Sequence, residues 1–370
     1  MTPIRILVVD DSVVIRKLLA DTLSGDPALV VVGVASDGRI ALSKIALLKP
    51  DLVTLDVEMP VMDGLETLVA LRKLYPKLPV IMFSTLTERG AAATLDALSL
   101  GASDYATKPS NTASSAIAIE RVRVELIPKI KALCGVGPLK LLPLSGSRPP
   151  SKVRPPSSSR IEIVAIGTST GGPNALAEVL PQIPRDFPVP IVVVQHMPPI
   201  FTRLLAERLA SRAAIPVKEA TPGAVLSPGH AWIAPGNFHM KVIRAGTECR
   251  LNLNQGPPEN SCRPAVDVLF RSVAAAYGAN VLGVVMTGMG ADGALGAQHI
   301  RDAGGVVIVQ DAASSVVWGM PGLVHASGLA DADYPLDHLA AEMTRRVVQS
   351  REPRTNLDPT NYSVSGSFAK

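Results

Sequence analysis

Short apolar runs that end in polar turns recur along the chain, and this repetition constrains the fold more than any other feature. In the first half the runs are Ile4 to Val9, Val30 to Ala35, Leu52 to Asp56 and Val80 to Ser84. In the second half the clearest runs are Ile161 to Ile166, Ile191 to Gln195, Val281 to Met286 and Val306 to Gln310. Amphipathic stretches with helical periodicity separate them. The alternation predicts an α/β protein with two doubly wound parallel sheets, whose ligand sites lie at the carboxyl ends of the strands.

A segment rich in proline, serine and arginine, KLLPLSGSRPPSKVRPPSSSR, separates the two repeating patterns. This composition is typical of a flexible, solvated linker. The expected boundaries are a first domain over 1–130, a linker over 131–160, a second domain over 161–350 and a disordered tail over 351–370. In the second domain a short strand at Ala231 to Gly236 is expected to form an antiparallel hairpin with Lys241 to Arg244.

Composition places both domains among globular proteins. Hydrophobic residues make up 47% of the 370 residues and charged residues 18%, with a net charge of +4. Lysine and arginine are scattered rather than gathered into a basic stripe, which argues against nucleic-acid binding. The start MTPIRILVVDD does not fit a signal peptide, and no apolar run reaches the roughly 18 residues of a membrane span. We expect a cytoplasmic protein that does not insert into a membrane.

The turn after the run Ile161 to Ile166 has the pattern Gly-x-Ser-x-Gly, formed by Gly167, Ser169 and Gly171. Flanking glycines permit a sharp bend that leaves the serine hydroxyl above the sheet, and the following helix directs unpaired N–H groups to the same place. Ser169 is therefore the candidate nucleophile, although Gly-rich and Ser-rich turns also arise for backbone reasons alone. A phosphate-binding loop is disfavoured, because no G-x-G-x-x-G and no Gly-Lys-Ser/Thr follows the strand.

A serine nucleophile needs a base, and the base needs a carboxylate that holds its tautomer. His196 ends the next strand in VVVQHMPP, and Asp292 follows a later strand in MTGMGADGA. Because the carboxyl ends of parallel strands share one edge, we predict that Ser169, His196 and Asp292 converge there. Their order along the chain differs from that of the α/β-hydrolases, in which the acid precedes the histidine. His239 and His299 are weaker candidates for the base.

Cys262 is an alternative nucleophile. Its neighbourhood Asn-Ser-Cys-Arg-Pro offers no activating base, so the pattern favours a cysteine that acts as a small apolar residue. Cys134 and Cys249 bring the number of cysteines to three, without C-x-x-C spacing. The sequence therefore predicts neither a disulfide framework nor a zinc site.

Polar residues also follow the strands of the first domain, and these are Asp10, Asp11, Asp56, Ser84 and Lys108. Three carboxylates brought together repel one another unless a cation lies between them, and hard oxygen ligands suit Mg²⁺. A bound divalent ion would screen an incoming phosphoryl group, so that one carboxylate could attack phosphorus. The lysine and the hydroxyl would then stabilise charge on the transferred oxygens.

This set, with Asp56 inside TLDVEMPVMDG, resembles that of a response-regulator receiver domain, whose fold is flavodoxin-like. The resemblance implies that Asp56 is the phosphoacceptor and that a histidine kinase is the phosphodonor. It implies that Mg²⁺ is held by Asp10, Asp11, Asp56 and the backbone of Glu58. The phosphoryl contact and the switch positions implied by the resemblance are Lys108, Ser84 and Tyr105.

The second domain resembles, over nearly its whole length, the catalytic domain of the CheB protein-glutamate methylesterases. The matching motifs are IGTSTGGP, QHMPPIFTRLLAERL, IAPGNFHM, RPAVDVLF, MTGMGADGA and VVWGMP. The resemblance implies a Rossmann-like domain in which Ser169, His196 and Asp292 occupy the triad positions. It also implies that the backbone at Thr170 and Met289 helps to hold the oxyanion.

The function implied by both resemblances is chemotaxis adaptation. The enzyme would remove γ-methyl esters from glutamates of chemoreceptors and deamidate receptor glutamines, without a cofactor for the hydrolysis. The linker would let the unphosphorylated receiver domain cover the Ser169 edge, so we expect inhibition that phosphorylation relieves. The alternatives are a receiver-regulated, non-catalytic adaptor and a DNA-binding response regulator, although no helix-turn-helix pattern or basic recognition surface follows Ile161.

Overall fold

The computed structural model describes residues 2–108, 115–135 and 159–352. The first domain is built on one sheet of five parallel strands in the order β2-β1-β3-β4-β5. These strands are β1 (Ile4–Val9), β2 (Leu29–Ala35), β3 (Leu52–Asp56), β4 (Val80–Ser84) and β5 (Asp104–Thr107). Chain order reverses between β1 and β3, which lie side by side, so the residues that follow these strands meet at the switch point of the sheet.

Helices cover both faces of this sheet. They are α1 (Val13–Ser24), α2 (Gly38–Leu48), α3 (Gly64–Leu74), α4 (Glu88–Ser99), α5 (Ser115–Arg121) and α6 (Ile127–Leu133), with a π-helical turn at Val122–Leu126 between the last two. The boundary expected at residue 130 falls inside α6, which continues to Leu133. Most of the expected linker, 136–158, and most of the expected tail, 353–370, lie outside the described residues.

Side-chain caps explain where several of these helices begin. Ser12 accepts a hydrogen bond from the backbone N–H of Ile15 at 3.4 Å, at the start of α1. Asp63 and Glu66 form a capping box at the start of α3, each bonding the backbone N–H of the other. Such caps satisfy N–H groups that the helix itself leaves unpaired, each contributing about 1 kcal/mol.

The second domain is built on a seven-stranded parallel sheet in the order β14-β13-β12-β6-β7-β9-β8. Its strands are β6 (Ile163–Thr168), β7 (Ile191–Gln195), β8 (Val217–Glu219), β9 (Ala231–Ile233), β12 (Val281–Val285), β13 (Val306–Gln310) and β14 (Ala332–Tyr334). Strand β6 lies at the centre, between β12 and β7. The chain first builds outward on one side of β6 and then on the other, which makes the end of β6 the switch point of this sheet.

The helices of the second domain are α7 (Gly172–Val179), α8 (Phe201–Ala210), α9 (Val266–Tyr277), α10 (Ala294–Asp302), α11 (Met320–Ala326) and α12 (Leu336–Gln349), with 3₁₀ turns at Leu180–Gln182 and Gly278–Asn280. The structure confirms the α/β class and the two parallel sheets. In both domains the buried strands form the core, and helix α4 of the first domain packs against α7 and α8 of the second. Among the described residues, no helix has the length and apolar character needed to span a membrane.

The expected hairpin between Ala231 to Gly236 and Lys241 to Arg244 is wrong. Strand β9 lies inside the large sheet, parallel to β7 and β8, where Ala231 and Ile233 are fully buried. Residues 241–244 belong to β10 (His239–Ala245), which pairs with β11 (Glu248–Asn254) in a separate antiparallel hairpin. Gly246, with a φ of 65°, permits the tight turn between β10 and β11.

Candidate active site and phosphorylation site

Ser169 lies in the turn between β6 and α7, at the switch point of the second sheet. Its backbone N–H donates to the carbonyl of Thr287 at 3.0 Å, which fixes the turn against the end of β12. Gly171 has a φ of 79° and therefore adopts a conformation that other residues avoid. A Cβ atom at Gly172 would lie 2.0 Å from the side-chain oxygen of Gln195. Gly171 thus allows the bend, and Gly172 allows the close approach of β7.

His196 follows β7 and is joined to Asp292 at the end of β12. The His196 Nε2 and Asp292 Oδ2 atoms are 2.8 Å apart, and both side chains are largely buried. Four further donors hold this carboxylate, namely the backbone N–H groups of Val266, Asp267 and Gly293 and the side-chain amide of Asn260. The carboxylate is therefore fixed in place and charged, as a group that orients an imidazole must be.

The electrostatics of this pair favour a protonated imidazole. Burial alone would lower the pKa of His196, but the hydrogen bond to Asp292 and the contact with Cys262 outweigh it and raise that pKa to about 10. Burial acts to raise the pKa of Asp292, whereas the hydrogen bond and charge of His196 hold it below its ordinary value. The site thus stabilises the charged form of the His196 imidazole.

The structure brings the main chains of Ser169 and His196 together through Gln195. Its side-chain amide donates to the carbonyl of Ser169 at 3.0 Å and to that of His196 at 3.2 Å. In the described part of the chain, no hydrogen bond joins the Ser169 hydroxyl to the imidazole. The Nδ1 atom of His196 instead lies 3.5 Å from the Sγ atom of Cys262. Two of the three predicted triad members are thus in contact, and the third lies on the adjacent turn.

The backbone at Thr170 and Met289 flanks the Ser169 turn. A Cβ atom at Gly288, which precedes Met289, would lie 2.9 Å from that of Ser169, so the two loops touch. Within the described ranges, neither the N–H of Thr170 nor that of Met289 donates to a protein acceptor. Two unpaired N–H groups on loops next to the serine are suited to bind an oxyanion.

The acidic residues of the first domain meet at its switch point. Asp10, Asp11 and Asp56 each offer a carboxylate oxygen, and these oxygens lie within 4.8 Å of one another. The Nζ atom of Lys108 lies 2.9 Å from Asp10 and 2.7 Å from Asp56. Burial, and after it the charge of Asp10, raises the pKa of Asp56 to about 6. Two of these carboxylates, Asp10 and Asp56, are buried and Asp11 is exposed. Among the described residues Lys108 is the one cation paired with them, so the cluster fits a divalent cation.

The remaining receiver positions surround Asp56 and β5. The backbone N–H of Glu58 donates to Asp56 Oδ1 at 3.4 Å, so the Glu58 main chain lies beside the Asp56 carboxylate. The Ser84 hydroxyl donates to the carbonyl of Gly90 at 3.0 Å, at the start of α4. The Tyr105 ring is buried and stacks on Phe201 of the second domain, with ring centroids 4.8 Å apart.

Contacts between the two domains lie directly beside the candidate active site. The Thr170 hydroxyl donates to Asp104 of β5 at 2.8 Å, and the Asn174 amide donates to the carbonyl of Leu98 at 2.8 Å. Two ion pairs join α4 to α8, Glu88 with Arg203 and Asp96 with Arg208, each at 2.7 Å. The first domain therefore packs on the Ser169 turn itself.

Several residues of the site were missed from the sequence. Gln195 at the end of β7 and Asn260 in a turn bond the candidate catalytic groups, but isolated amides have no distinctive sequence pattern. Asp104 and Phe201 meet the other domain, and a single-domain strand pattern gives no indication of such contacts. Gln195 could have been identified as a residue of the site, because it directly precedes His196 at a buried strand end.

The two parallel sheets, the acidic cluster and the glycine-rich turn at Ser169 together define a receiver domain joined to an α/β domain with a candidate hydrolase site. Residues 6–120 match the family model for the response regulator receiver domain, and residues 164–343 match that for CheB methylesterase. The chain belongs to the protein-glutamate methylesterase/protein-glutamine glutaminase family. The predicted family resemblance is thereby confirmed, and by this membership the chain is an enzyme.

Three relatives illustrate the similarity. A protein-glutamate methylesterase/protein-glutamine glutaminase from Trichodesmium erythraeum (strain IMS101) is 56% identical, over 94% of this chain and 100% of its own length. One of the same name from Nocardioides sp. (strain ATCC BAA-499 / JS614) is 51% identical, over 95% of this chain and 97% of its own. The crystal structure of the Thermotoga maritima CheB methylesterase catalytic domain is 42% identical, covers 50% of this chain and 98% of that chain, and has a TM-score of 0.49.

Proposed function

We propose that this chain hydrolyses γ-methyl esters of glutamate side chains on chemoreceptors, deamidates receptor glutamines at the same site, and uses Ser169, His196 and Asp292 to do so. The observation that carries the proposal is the buried 2.8 Å contact between His196 and Asp292, with Gln195 tying the Ser169 turn to His196. Both substrates present an acyl carbon with a small leaving group, so one nucleophile serves both reactions.

The chemistry follows from the positions of these groups. Asp292 is hydrogen-bonded to Nε2 of His196, so Nδ1 is the nitrogen that takes the serine proton. This transfer accompanies attack of the Ser169 oxygen on the side-chain carbonyl of the substrate. The N–H groups of Thr170 and Met289 receive the oxyanion. The imidazolium then gives its proton to the departing oxygen or nitrogen, which leaves as methanol or ammonia. Water hydrolyses the acyl enzyme in a second step, with His196 again as the base. The reactive state requires Ser169 to reach Nδ1, which Cys262 contacts in this structure.

Methanol release from methylated receptor tests this assignment. Ser169→Ala should lower the rate by at least about 10³-fold, because the remaining groups can only bind and polarise the ester. Ser211→Ala, an exposed serine that follows α8, is the matched control and should retain the wild-type rate. Equal rates for wild type and Ser169→Ala would overturn the assignment. Binding of receptor without any release by wild type would instead support the adaptor alternative.

We further propose that the first domain inhibits the second until Asp56 is phosphorylated, with a histidine kinase as phosphodonor. Asp10, Asp11, Asp56 and the backbone of Glu58 would hold Mg²⁺, which would screen the charge of the incoming phosphoryl group. Two further residues would contact the phosphoryl oxygens, and these are Ser84 and Lys108.

Movement of two side chains would carry the signal to the domain contact. Ser84 is bonded to the start of α4, and α4 forms ion pairs with α8. Tyr105 is stacked on Phe201, and the neighbouring Asp104 holds Thr170. Repacking of these groups around a phosphoryl charge would weaken the contact and uncover the Ser169 turn.

A further inference from the structure

The catalytic imidazole has a second partner that the hydrolysis reaction does not use. Asp292 bonds Nε2 of His196, and Cys262 Sγ lies 3.5 Å from Nδ1, a distance at which sulfur forms hydrogen bonds. Cys262, His196 and Asp292 therefore form a continuous thiol, imidazole and carboxylate array. The immediate neighbours of Cys262 do not indicate this base, because His196 lies 66 positions away along the chain.

The loop that carries Cys262 is built to hold it there. Glu259 and Cys262 exchange backbone hydrogen bonds of 3.1 and 2.8 Å around a turn whose central residues, Asn260 and Ser261, have φ angles of 51° and 62°. Two consecutive left-handed residues are the signature of a type I′ turn. The Asn260 amide bonds Asp292 at 3.0 Å, so the carboxylate that orients the imidazole also anchors the turn.

Two charged groups support the turn from α9. The Asn260 amide also donates to Asp267 at 2.9 Å, and Arg271 forms two short contacts with the carboxylate of Glu259, at 2.6 and 2.8 Å. These contacts join the first two residues of the turn, Glu259 and Asn260, to one helix. The position of the Cys262 sulfur against Nδ1 is thus determined by a network, rather than by the rotamer of a single side chain.

The three free cysteines differ in their surroundings. Cys262 is partly exposed, and its Sγ atom lies 3.5 Å from Nδ1 of an imidazole that can take up the thiol proton. Burial, and then the charge of Asp51, raises the pKa of Cys134 to about 11. Cys249 is buried in the hairpin strand β11. A small electrophile in solution should therefore react at Cys262 and spare the other two.

We propose that Cys262 is a site of reversible oxidation by hydrogen peroxide or a small organic hydroperoxide, and that its oxidation switches the esterase off. The Cys262 thiol gives its proton to Nδ1 of His196 as its sulfur attacks one peroxide oxygen, forming an S–O bond while the O–O bond breaks. The O–O bonding pair leaves with the distal oxygen, which takes a proton from the imidazolium of His196 and departs as water or an alcohol. Sulfur is oxidised by two electrons to a sulfenic acid and the peroxide is reduced by two.

The product blocks hydrolysis because of where it lies. A sulfenic acid on Cys262 carries a hydroxyl directed at Nδ1, the atom that must receive the Ser169 proton. Addition of a small thiol reduces it through a mixed disulfide and returns the free cysteine. The inhibitory effect rests on the proposed role of His196 as the base, whereas the reactivity of the thiol does not.

The first arm of the test measures the chemistry alone. The full chain is treated with hydrogen peroxide at neutral pH in the presence of dimedone, a sulfenic acid trap, and each cysteine is quantified by peptide mass spectrometry. We expect the adduct on Cys262 at least about tenfold faster than on Cys134, and about tenfold slower formation in His196→Gln. Equal rates at Cys262 and Cys134 in the wild-type chain would overturn the proposal without recourse to any variant.

The second arm measures the consequence for hydrolysis. Each protein is compared with its own untreated sample for methanol release after peroxide exposure. Wild type should lose at least about tenfold in rate and recover with dithiothreitol, while Cys262→Ala should keep its own starting rate. Loss of activity to the same extent in Cys262→Ala would refute the switch. Absence of methanol release before treatment would instead count against the proposed hydrolysis, and the first arm would still decide the reactivity of the thiol.

Discussion

Asp292 shows how much of this site is decided by hydrogen bonds to one carboxylate. Four donors other than His196 bond its two oxygens, and together they leave it no freedom to rotate. The energetic consequence falls on the histidine, whose pKa rises because its charged form faces a fixed negative charge. A base with a raised pKa is neutral for a smaller fraction of the time at neutral pH, but its imidazolium is better stabilised in the transition state.

Asp292→Asn should change both the rate and its pH dependence. The amide cannot stabilise the imidazolium, so kcat should fall by roughly 10³- to 10⁴-fold. In wild type the neutral imidazole increases as pH rises toward 10, so kcat/KM should rise above pH 7. In Asp292→Asn this rise should move to lower pH, since the charge that raised the His196 pKa is gone. Rates across a pH series measure both effects.

The matched control is Asp302→Asn, which alters an exposed carboxylate at the end of α10. It should reproduce the wild-type rate and profile. A pH profile in Asp292→Asn that coincides with that of wild type would mean that the carboxylate does not act through the imidazole.

At the scale of elements, the last helix is tied to the edge strand of the second sheet by one carboxylate. Glu342 of α12 bonds the hydroxyl of Tyr334 in β14 at 2.9 Å and forms contacts of 2.5 to 2.7 Å with Arg345 and Arg346. Burial acts to raise the pKa of Glu342, but the hydrogen bonds from Arg345, Tyr334 and Arg346 prevail and lower it to about 2. The charged form is therefore more stable in the folded chain than in the unfolded one.

Glu342→Gln should destabilise the fold in a pH-dependent way. Because the folded pKa is depressed, the contribution is present above the ordinary pKa near 4.5 and is lost as pH falls toward 2. We expect the free energy of unfolding to drop by about 1 to 3 kcal/mol at neutral pH. Urea unfolding at neutral pH and near pH 3 measures the difference, which should shrink in acid. Asp186→Asn, at an exposed position, is the control, and a pH-independent difference for Glu342→Gln would contradict the explanation.

Long buried strands could be predicted from the sequence, whereas the sheet partners of a short strand could not. Buried strands such as Ile163–Thr168 and Val281–Val285 are continuous apolar runs, so their existence and their common edge followed from residue pattern alone. The strand at Ala231–Ile233 is only three residues long, and its two neighbours in the sheet lie elsewhere in the chain. Local pattern cannot identify such partners, which is why the hairpin with 241–244 was wrong.

The predicted site divides in the same way. Strand ends can be predicted from a sequence, and they are followed by Ser169, His196, Asp292 and the receiver carboxylates. Their roles in the reaction stay predictions until the variants are measured. Gln195, Asn260 and Cys262 contact site residues that lie further along the chain or on other turns. Their immediate sequence neighbours do not indicate these contacts.

In the whole molecule the two domains meet through apolar, aromatic and polar groups, and one cluster of buried apolar residues contains members of both domains. Exposed ion pairs such as Glu88 with Arg203 contribute at most about 1 kcal/mol each. The more specific elements are the ring stack of Tyr105 on Phe201 and the hydrogen bond from Thr170 to Asp104. We expect a charge added at Asp56 to weaken this contact.

A fragment that begins at residue 159 should therefore hydrolyse methylated receptor faster than the unphosphorylated full chain. We expect about a tenfold higher rate, equivalent to about 1.4 kcal/mol of docking. Methanol release at equal concentrations measures it, with cooperative thermal unfolding as the check that the fragment is folded. The full chain carrying Asp56→Ala should keep the low rate when a phosphodonor is added. A folded fragment no faster than the full chain would exclude inhibition by the first domain.

The hydrogen bond between Thr170 and Asp104 also links the candidate active site back to the phosphorylation site. Under the proposed function, a receptor segment bound at Ser169 would compete for the surface that Asp104 contacts, so substrate binding would release the receiver domain. Thermodynamic reciprocity then requires that methylated receptor make phosphorylation of Asp56 more favourable by the same factor by which phosphorylation tightens receptor binding. The substrate is in this sense an effector of its own enzyme.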